Sequence, residues 1–337
     1  MKKILFLALA LALVFAITPV ASAQTVLKLS EVHAEGYPTT LADYEFARLV
    51  EEKSEGRIKV EVYAGGTLYG GEPDAIEALQ LGDLAFARVS ASPVANFVPA
   101  LNAIQMPYLY KNGEHMWAVL NGEIGQKMLA DVETGLDTDG KSSGLVGLCW
   151  YDAGSRSFYL TKEVRVPADY AGLKIRMQNN SMMLRLVELL GGTGVAGIGP
   201  GEVFSAVETK VVDGAENNWP TYQNMGDYNV APFYILDQHT RVPEILLASK
   251  AMMDTLSEED RALIFECAVA VQAYEIEQWA LKEASSEEIV REAGVTVVEL
   301  TPEERALYVE AMAPLYEEFG ADYMDIIEAI RAVGEDF

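Results

Sequence analysis

Three arginines stand at the ends of predicted strands or in the turns that follow them: Arg88 in AFARVSASP, Arg156 in YDAGSRSFY and Arg176 in GLKIRMQNN. His33 and Glu35 in VHAEGYPTT and Asn217 in DGAENNWPTY occupy similar places. A planar guanidinium suits a carboxylate through two parallel hydrogen bonds, so arginines converging on one cleft would hold an organic anion. In an α/β sheet the strand ends are where such a cleft forms. In GLKIRMQNN, Leu173, Ile175 and Met177 alternate with Lys174, Arg176 and Gln178, giving a strand with one apolar and one cationic face. A solvated outer face is the plain alternative for such an arginine.

Other chemistries find less support. GTGVAG at 192–197 has the glycine spacing of a dinucleotide loop, but it follows the helical run MMLRLVELL, where Gly191 and Gly192 read as a helix stop, whereas the loop must follow a strand and open a helix. There is no Walker loop, no GxSxG elbow, and no Cys or His pair at metal spacing; His33, His115 and His239 are isolated. No cofactor or metal is expected. Carboxylates abound, which leaves a paired-acid glycosidase open without marking a pair. The formal charge of −26 argues against nucleic acid or an anionic membrane as partner. Cys149 and Cys267 both sit in apolar runs far apart in sequence and read as two buried thiols, with a disulfide in an oxidising compartment as the alternative.

The elements that must position these residues alternate. Strand-like TVLKLSEVH (25–33), RIKVEVYA (57–64), LAFARVS (84–90), GLVGLCWYD (144–152), GLKIRMQ (172–178) and EILLASK (244–250) are interleaved with helices near 40–53 and 72–82, which predicts an α/β layout with a largely parallel sheet. A helix is predicted from Ser257 to Gly294, opened by the capping box SEED, and it is long enough to cross more than one lobe. The opening MKKILFLALALALVFAITPVASAQ has the layout of a secretory signal peptide cut after Ala23, and no later apolar run approaches a membrane span. The remaining chain is longer than one core comfortably holds, which suggests two lobes and a cleft between them.

From TVLKLSEVH to the last helix the chain resembles the solute-binding subunit of tripartite ATP-independent periplasmic (TRAP) transporters, of the DctP type. The resemblance rests on GRIKVEVYAGGTLYGGEPDAIEALQLGDLAFA, GSRSFY, GLKIRM, VVDGAENNW and the long helix after TLSEEDRALI. It implies a type II periplasmic binding-protein fold: two α/β lobes joined by crossing strands, braced by the long helix, and closing over an organic acid. Residues 1–23 would be the signal peptide, 24–152 and 238–275 one lobe, 153–237 and 276–310 the other, and 311–337 helices packed on both. The resemblance assigns the bidentate carboxylate contact to Arg176 and further contacts to Arg156 and Asn217, with Arg88, Glu72 and Gln178 lining the pocket. The motifs VHAEGYPT, ARVSASP and ENNWPTY are most similar to members that take hexuronates such as glucuronate and galacturonate. Glu35, His33, Asn217 and Asn218 would then meet ring hydroxyls, with Trp219 as an apolar wall. Where those members carry an aromatic residue before the GEV turn, this chain has Gly199-Pro200-Gly201-Glu202, so one wall should differ. The expected protein is a periplasmic monomer, without catalysis, that delivers its ligand to a membrane permease driven by an ion gradient. An aldonate, keto acid or C4-dicarboxylate is the alternative ligand. An exported hydrolase acting on acidic sugars and a sensor domain are alternatives of other classes.

Overall fold

The computed structural model describes residues 24–134 and 141–337, so the leader expected at 1–23 lies outside the described residues. Eleven strands carry the fold among these residues: β1 (Thr25–Ser30), β2 (Ile58–Tyr63), β3 (Phe86–Ser90), β4 (Leu145–Tyr151), β5 (Arg156–Leu160), β6 (Lys174–Arg176), β7 (Thr193–Val195), β8 (Gly214–Asn217), β9 (Phe233–Thr240), β10 (Glu244–Ser249) and β11 (Thr296–Glu299). They form two sheets, of order β2-β1-β3-β10-β4 and β11-β9-β5-β8-β6-β7. Each sheet with its helices is one lobe.

The expectation of a largely parallel sheet needs one amendment per lobe. β10 runs antiparallel to both of its neighbours, β3 and β4, and β5 runs antiparallel to β8 and β9, while the other pairings are parallel. These two are the strands by which the chain enters a sheet directly from a strand of the other one, β4 to β5 and β9 to β10, whereas β11 returns to the second sheet through the long helix and is parallel to β9. Arriving across the cleft, each runs opposite to the strands that were wound in through helical crossovers. β4, β5 and β10 are buried along their whole length, as expected of sheets covered on both faces.

The long helix spans Glu258–Glu292, with the Ser257 hydroxyl accepting from the Asp260 amide and Gly294 left-handed (φ 86°) just past its end. At about 1.5 Å per residue its 35 residues reach roughly 50 Å. It packs on the helix Pro38–Lys53 and on β4 in the first lobe, and on the helix Trp219–Asn224 in the second. Cys149 and Cys267 are free and buried in the same first-lobe core, beside Phe46, Phe86 and Leu246. Gly191 (φ 95°) ends the helix Ser181–Leu189 and Thr193–Val195 then forms the edge strand β7. GTGVAG therefore sits at a helix end and in a strand, the reverse of the order a dinucleotide loop requires.

Candidate functional site: a cavity between the lobes

A cavity of about 580 Å³ lies between the two sheets. From the parallel strands it receives the residues at or just past their carboxyl ends: His33 after β1, Ser90 on β3, Arg176 and Gln178 on and after β6, and Asn217 on β8. From the two antiparallel strands it receives their first residues, Arg156 of β5 and Glu244 of β10. The reversed strands thus aim their amino ends at the same place. Two glycine-bearing loops, 65–71 and 197–202, supply further lining from opposite lobes. They come so close that a Cβ on Gly199 would stand 3.0 Å from the Gly70 carbonyl. Asn180 Nδ2 donates to the Ser92 carbonyl at 2.8 Å and Asn96 Nδ2 to the Asn179 carbonyl at 2.7 Å, so the lobes are in contact.

Arg176 is 7% exposed, and its Nε donates to the Ile198 carbonyl at 2.9 Å. Among the described residues it has no carboxylate partner, and neither terminal nitrogen makes a hydrogen bond. Burial pushes its pKa down. A desolvated guanidinium costs free energy unless it is paired, so an anion in the cavity would supply what the fold does not.

Arg156 is more committed than its sequence context suggests. Its Nε and Nη2 donate to the Glu216 carboxylate, the latter at 2.9 Å, and Nη2 also reaches the Glu216 carbonyl at 3.0 Å. Burial alone would raise the Glu216 carboxyl, but Arg156 and His239 hold it down at about 2. Only Nη1 of Arg156 is left without a hydrogen bond among the described residues.

Behind this pair, His239 Nδ1 donates to Asp237 at 2.9 Å and Nε2 lies 3.7 Å from Glu216, an ion contact longer than a hydrogen bond. Burial lowers the imidazole, but Asp237 and Glu216 outweigh it and raise the pKa to about 9. A folded-state pKa above the ordinary 6.5 contributes stability that is complete below pH 6.5 and lost as pH rises through about 9. That window carries about 3 kcal/mol at 1.36 kcal/mol per unit. Denaturant unfolding of the native chain and of His239→Gln at pH 6, 7.5 and 9.5 should therefore show a stability gap that shrinks by this order toward alkaline pH. Parallel pH curves would show that His239 is neutral in the fold.

Arg88 belongs to the wall and not to the lining. It is 1% exposed and bonded to both oxygens of Glu31, to Glu72 at 2.7 Å and to Glu244. Its Nη2 also lies 2.8 Å from His33 Nδ1, which stands 3.1 Å from the Glu31 carboxylate, so this ring nitrogen is engaged within the wall and Nε2 is left for the cavity. Glu72 and Glu244 then line the cavity with their remaining acceptor capacity. Glu31, which burial alone would raise, is held well below the usual carboxylate range by Arg88.

Of the residues marked in the sequence, Arg176, Arg156, Asn217, His33, Glu72 and Gln178 line the cavity. The Asn217 side-chain oxygen accepts from the Asn218 amide at 2.9 Å, leaving its nitrogen available, and Oε1 of Gln178 is buried without a partner among the described residues. Four do not line it. Arg88 is sealed behind its three carboxylates. Glu35 is exposed and accepts from the Tyr44 hydroxyl at 2.6 Å. Asn218 caps the helix Trp219–Asn224, accepting from the Thr221 amide at 2.8 Å and donating to the Ala153 carbonyl at 3.1 Å. Trp219 is 4% exposed and stacked on Tyr234 at 3.7 Å, so it is core and not wall. Asn-Trp-Pro-Thr is itself a helix start, with proline in the first turn, and that signal outranks the polar look of the segment. Glu216, Glu31 and Glu244 carry no signal in the sequence, since each is defined by an arginine distant along the chain. Pro200 lines the cavity.

A profile of the bacterial extracellular solute-binding proteins of family 7, the DctP family, matches residues 29–322. The chain belongs to this family. A DctP relative, a solute-binding protein of Chromohalobacter salexigens, is 34% identical over 296 residues, covering 88% of this chain and 84% of that protein. Among solved structures, the TRAP periplasmic solute-binding protein of Pseudomonas putida F1 with bound D-glucuronate is 36% identical with a TM-score of 0.85, covering 91% of this chain and 97% of that one. The TRAP solute-binding protein of Xanthobacter autotrophicus Py2 with bound β-D-galacturonate is 35% identical, also with a TM-score of 0.85, covering 91% and 99%. The DctP-type fold, with two lobes about one cleft, is the fold described above.

Proposed function

We propose that this DctP-family protein binds a hexuronate, D-glucuronate or D-galacturonate, in the cavity between its lobes and hands it unchanged to the permease of a TRAP transporter. The observation that carries this reading is the polarity of the cavity. Arg176 offers two unengaged terminal nitrogens on one side, while Glu72 and Glu244 stand on the other. A carboxylate fits the first wall, and hydroxyl donors fit the second. A C4-dicarboxylate would bring its second charge against those two carboxylates, and the other cation among the described lining residues, Arg156, is already committed to Glu216. The uronates held by the solved structures from Pseudomonas putida and Xanthobacter autotrophicus support the same ligand class.

In this reading Arg176 makes the bidentate contact and Arg156 lends only Nη1. Asn217, Gln178 and His33 Nε2 serve the ring together with Glu72 and Glu244. The leader is removed after Ala23 and the mature chain works in the periplasm as a monomer. One lobe comprises 24–152 and 241–275, the other 153–240 and 276–310, with 311–337 packed on both; β9 carries the second crossing three residues beyond the boundary expected at 237/238.

Calorimetry on the mature chain tests the ligand class. D-glucuronate and D-galacturonate should bind at least about 100-fold more tightly than succinate, a gap of about 2.7 kcal/mol, and D-glucose should show no measurable heat. A uronate at 100 times its dissociation constant should add about 2.7 kcal/mol of stability. Equal or tighter binding of succinate would overturn the assignment.

A further inference from the structure

A second, much smaller cavity of about 40 Å³ lies where the chain crosses between sheets. It is lined by Ser155, next in sequence to Arg156, and by the segment Gln238, Thr240 and Arg241; Thr240 is the residue paired with Arg156 across β5 and β9. Lys111 and Arg305 complete a set of three cations. In a chain with 51 acidic and 25 basic residues, three basic side chains would ordinarily find carboxylates. Among the described residues these find none within 4.0 Å, although acids are close by and committed elsewhere. Glu304, next to Arg305 in sequence, is taken by Arg165 at 2.6 Å, and Asp237 by His239 at 2.9 Å. The Glu283 carboxyl, raised by burial and by Asp152, is lowered by Arg241 without pairing to it.

Other features show the same vacancy for an acceptor. Ser155 is 8% exposed, and its hydroxyl makes no hydrogen bond among the described residues. Arg305 is held in place by the Tyr108 ring, 5.1 Å from its centroid, and both Tyr108 (φ 55°) and Gln238 (φ 48°) take left-handed backbone conformations, which cost free energy in a residue with a side chain. The cations are thus displayed by a constrained wall. The volume is about three times the 10–15 Å³ that a single water needs, which suits a carboxylate head or a small oxyanion and no sugar ring.

We propose that Lys111, Arg241, Arg305 and the Ser155 hydroxyl form a second anion site at the lobe crossing, taking inorganic phosphate or a single carboxylate head. It is separate from the ligand cavity and independent of which solute that cavity holds.

The test is an NMR titration of the full mature chain carrying Arg176→Ala, which leaves the main cavity only Nη1 of Arg156 among its guanidinium nitrogens to offer an anion. Sodium phosphate and sodium acetate are added in separate arms at constant ionic strength, with the amides of Ser155, Thr240 and Lys111 followed. Saturating shifts with phosphate, acetate or both support the site, and the arm that saturates names its ligand. Adding Arg241→Gln and Arg305→Gln together should weaken the midpoint at least about tenfold. Lys111→Gln, at an exposed position where folding is not at stake, should weaken it roughly threefold to fivefold, the scale of one exposed charge. Shifts that rise linearly without saturation, or a midpoint unmoved by these variants, would overturn the proposal.

Discussion

Arg176→Ala is expected to weaken uronate binding by roughly 30-fold to several thousand-fold. Truncating one partner of a buried, hydrogen-bonded charge pair costs about 2 to 5 kcal/mol, and each 1.4 kcal/mol is tenfold. Arg176→Lys should restore little, because a point charge cannot make two parallel bonds. The ligand-free protein should tell the opposite story. There, Arg176 is a desolvated cation with a single hydrogen bond, to the Ile198 carbonyl, and burial already pushes its pKa down. Losing that bond costs about 1 kcal/mol, while removing an uncompensated buried charge returns as much or more. Apo Arg176→Ala should therefore be at least as stable as the native chain, with the loss confined to binding. Calorimetry with a uronate and with its uncharged sugar, on native and variant protein, gives the coupling between guanidinium and carboxylate directly. A coupling near zero, or a variant destabilised by several kcal/mol without ligand, would make Arg176 a structural residue.

That division of labour among the arginines marks the limit of what the sequence carried. GLKIRMQNN reveals Arg176 because its alternation is a local property, and the segment resembles a family in which that position meets the carboxylate. The same resemblance places Arg156 and Asn217, which line the cavity. It does not show that Glu216, 60 residues away, takes most of Arg156, because that pairing exists only once β8 lies against β5. Arg88 reads like Arg156 in sequence, yet it is enclosed by Glu31, Glu72 and Glu244 from three separate elements. Strand legibility follows the same rule. β1 and β6 alternate and are found, and the long apolar runs of β4 and β10 are found. The four-residue GAEN of β8 and the polar-ended β9 are not, because buried Glu216, Asp237 and His239 look like loop residues until their partners are known. Trp219 shows the converse error: an aromatic residue in a polar segment suggests a pocket wall, but its partner Tyr234 arrives only with the packed second sheet.

Arg88→Ala should be among the most damaging single changes to stability, at about 3 to 5 kcal/mol, the usual cost of breaking a buried pair from one side. Arg88 compensates Glu31, Glu72 and Glu244 together, and the first of these is fully buried. Without it, burial would be opposed at Glu31 only by His33 and by the donors on the His33 amide and Thr39, so the loss of the guanidinium should raise its pKa from well below the ordinary value toward and above it. The sign of the pH effect follows. In the native chain a depressed carboxyl contributes stability above its unfolded pKa, and that contribution is lost only in strong acid. In the variant a raised carboxyl must take up a proton to fold, so the variant gains stability as pH falls from neutral toward 4.5. The stability difference between native and Arg88→Ala should thus be largest at pH 7 and narrow progressively down to pH 4.5 in urea unfolding. Adding Glu31→Gln to Arg88→Ala should restore part of the loss at pH 7 and flatten the pH dependence, because the charge that burial penalises is then gone. A gap that is constant with pH would mean that Arg88 acts through packing alone, and a loss below about 1 kcal/mol would mean that water reaches this wall of the cavity.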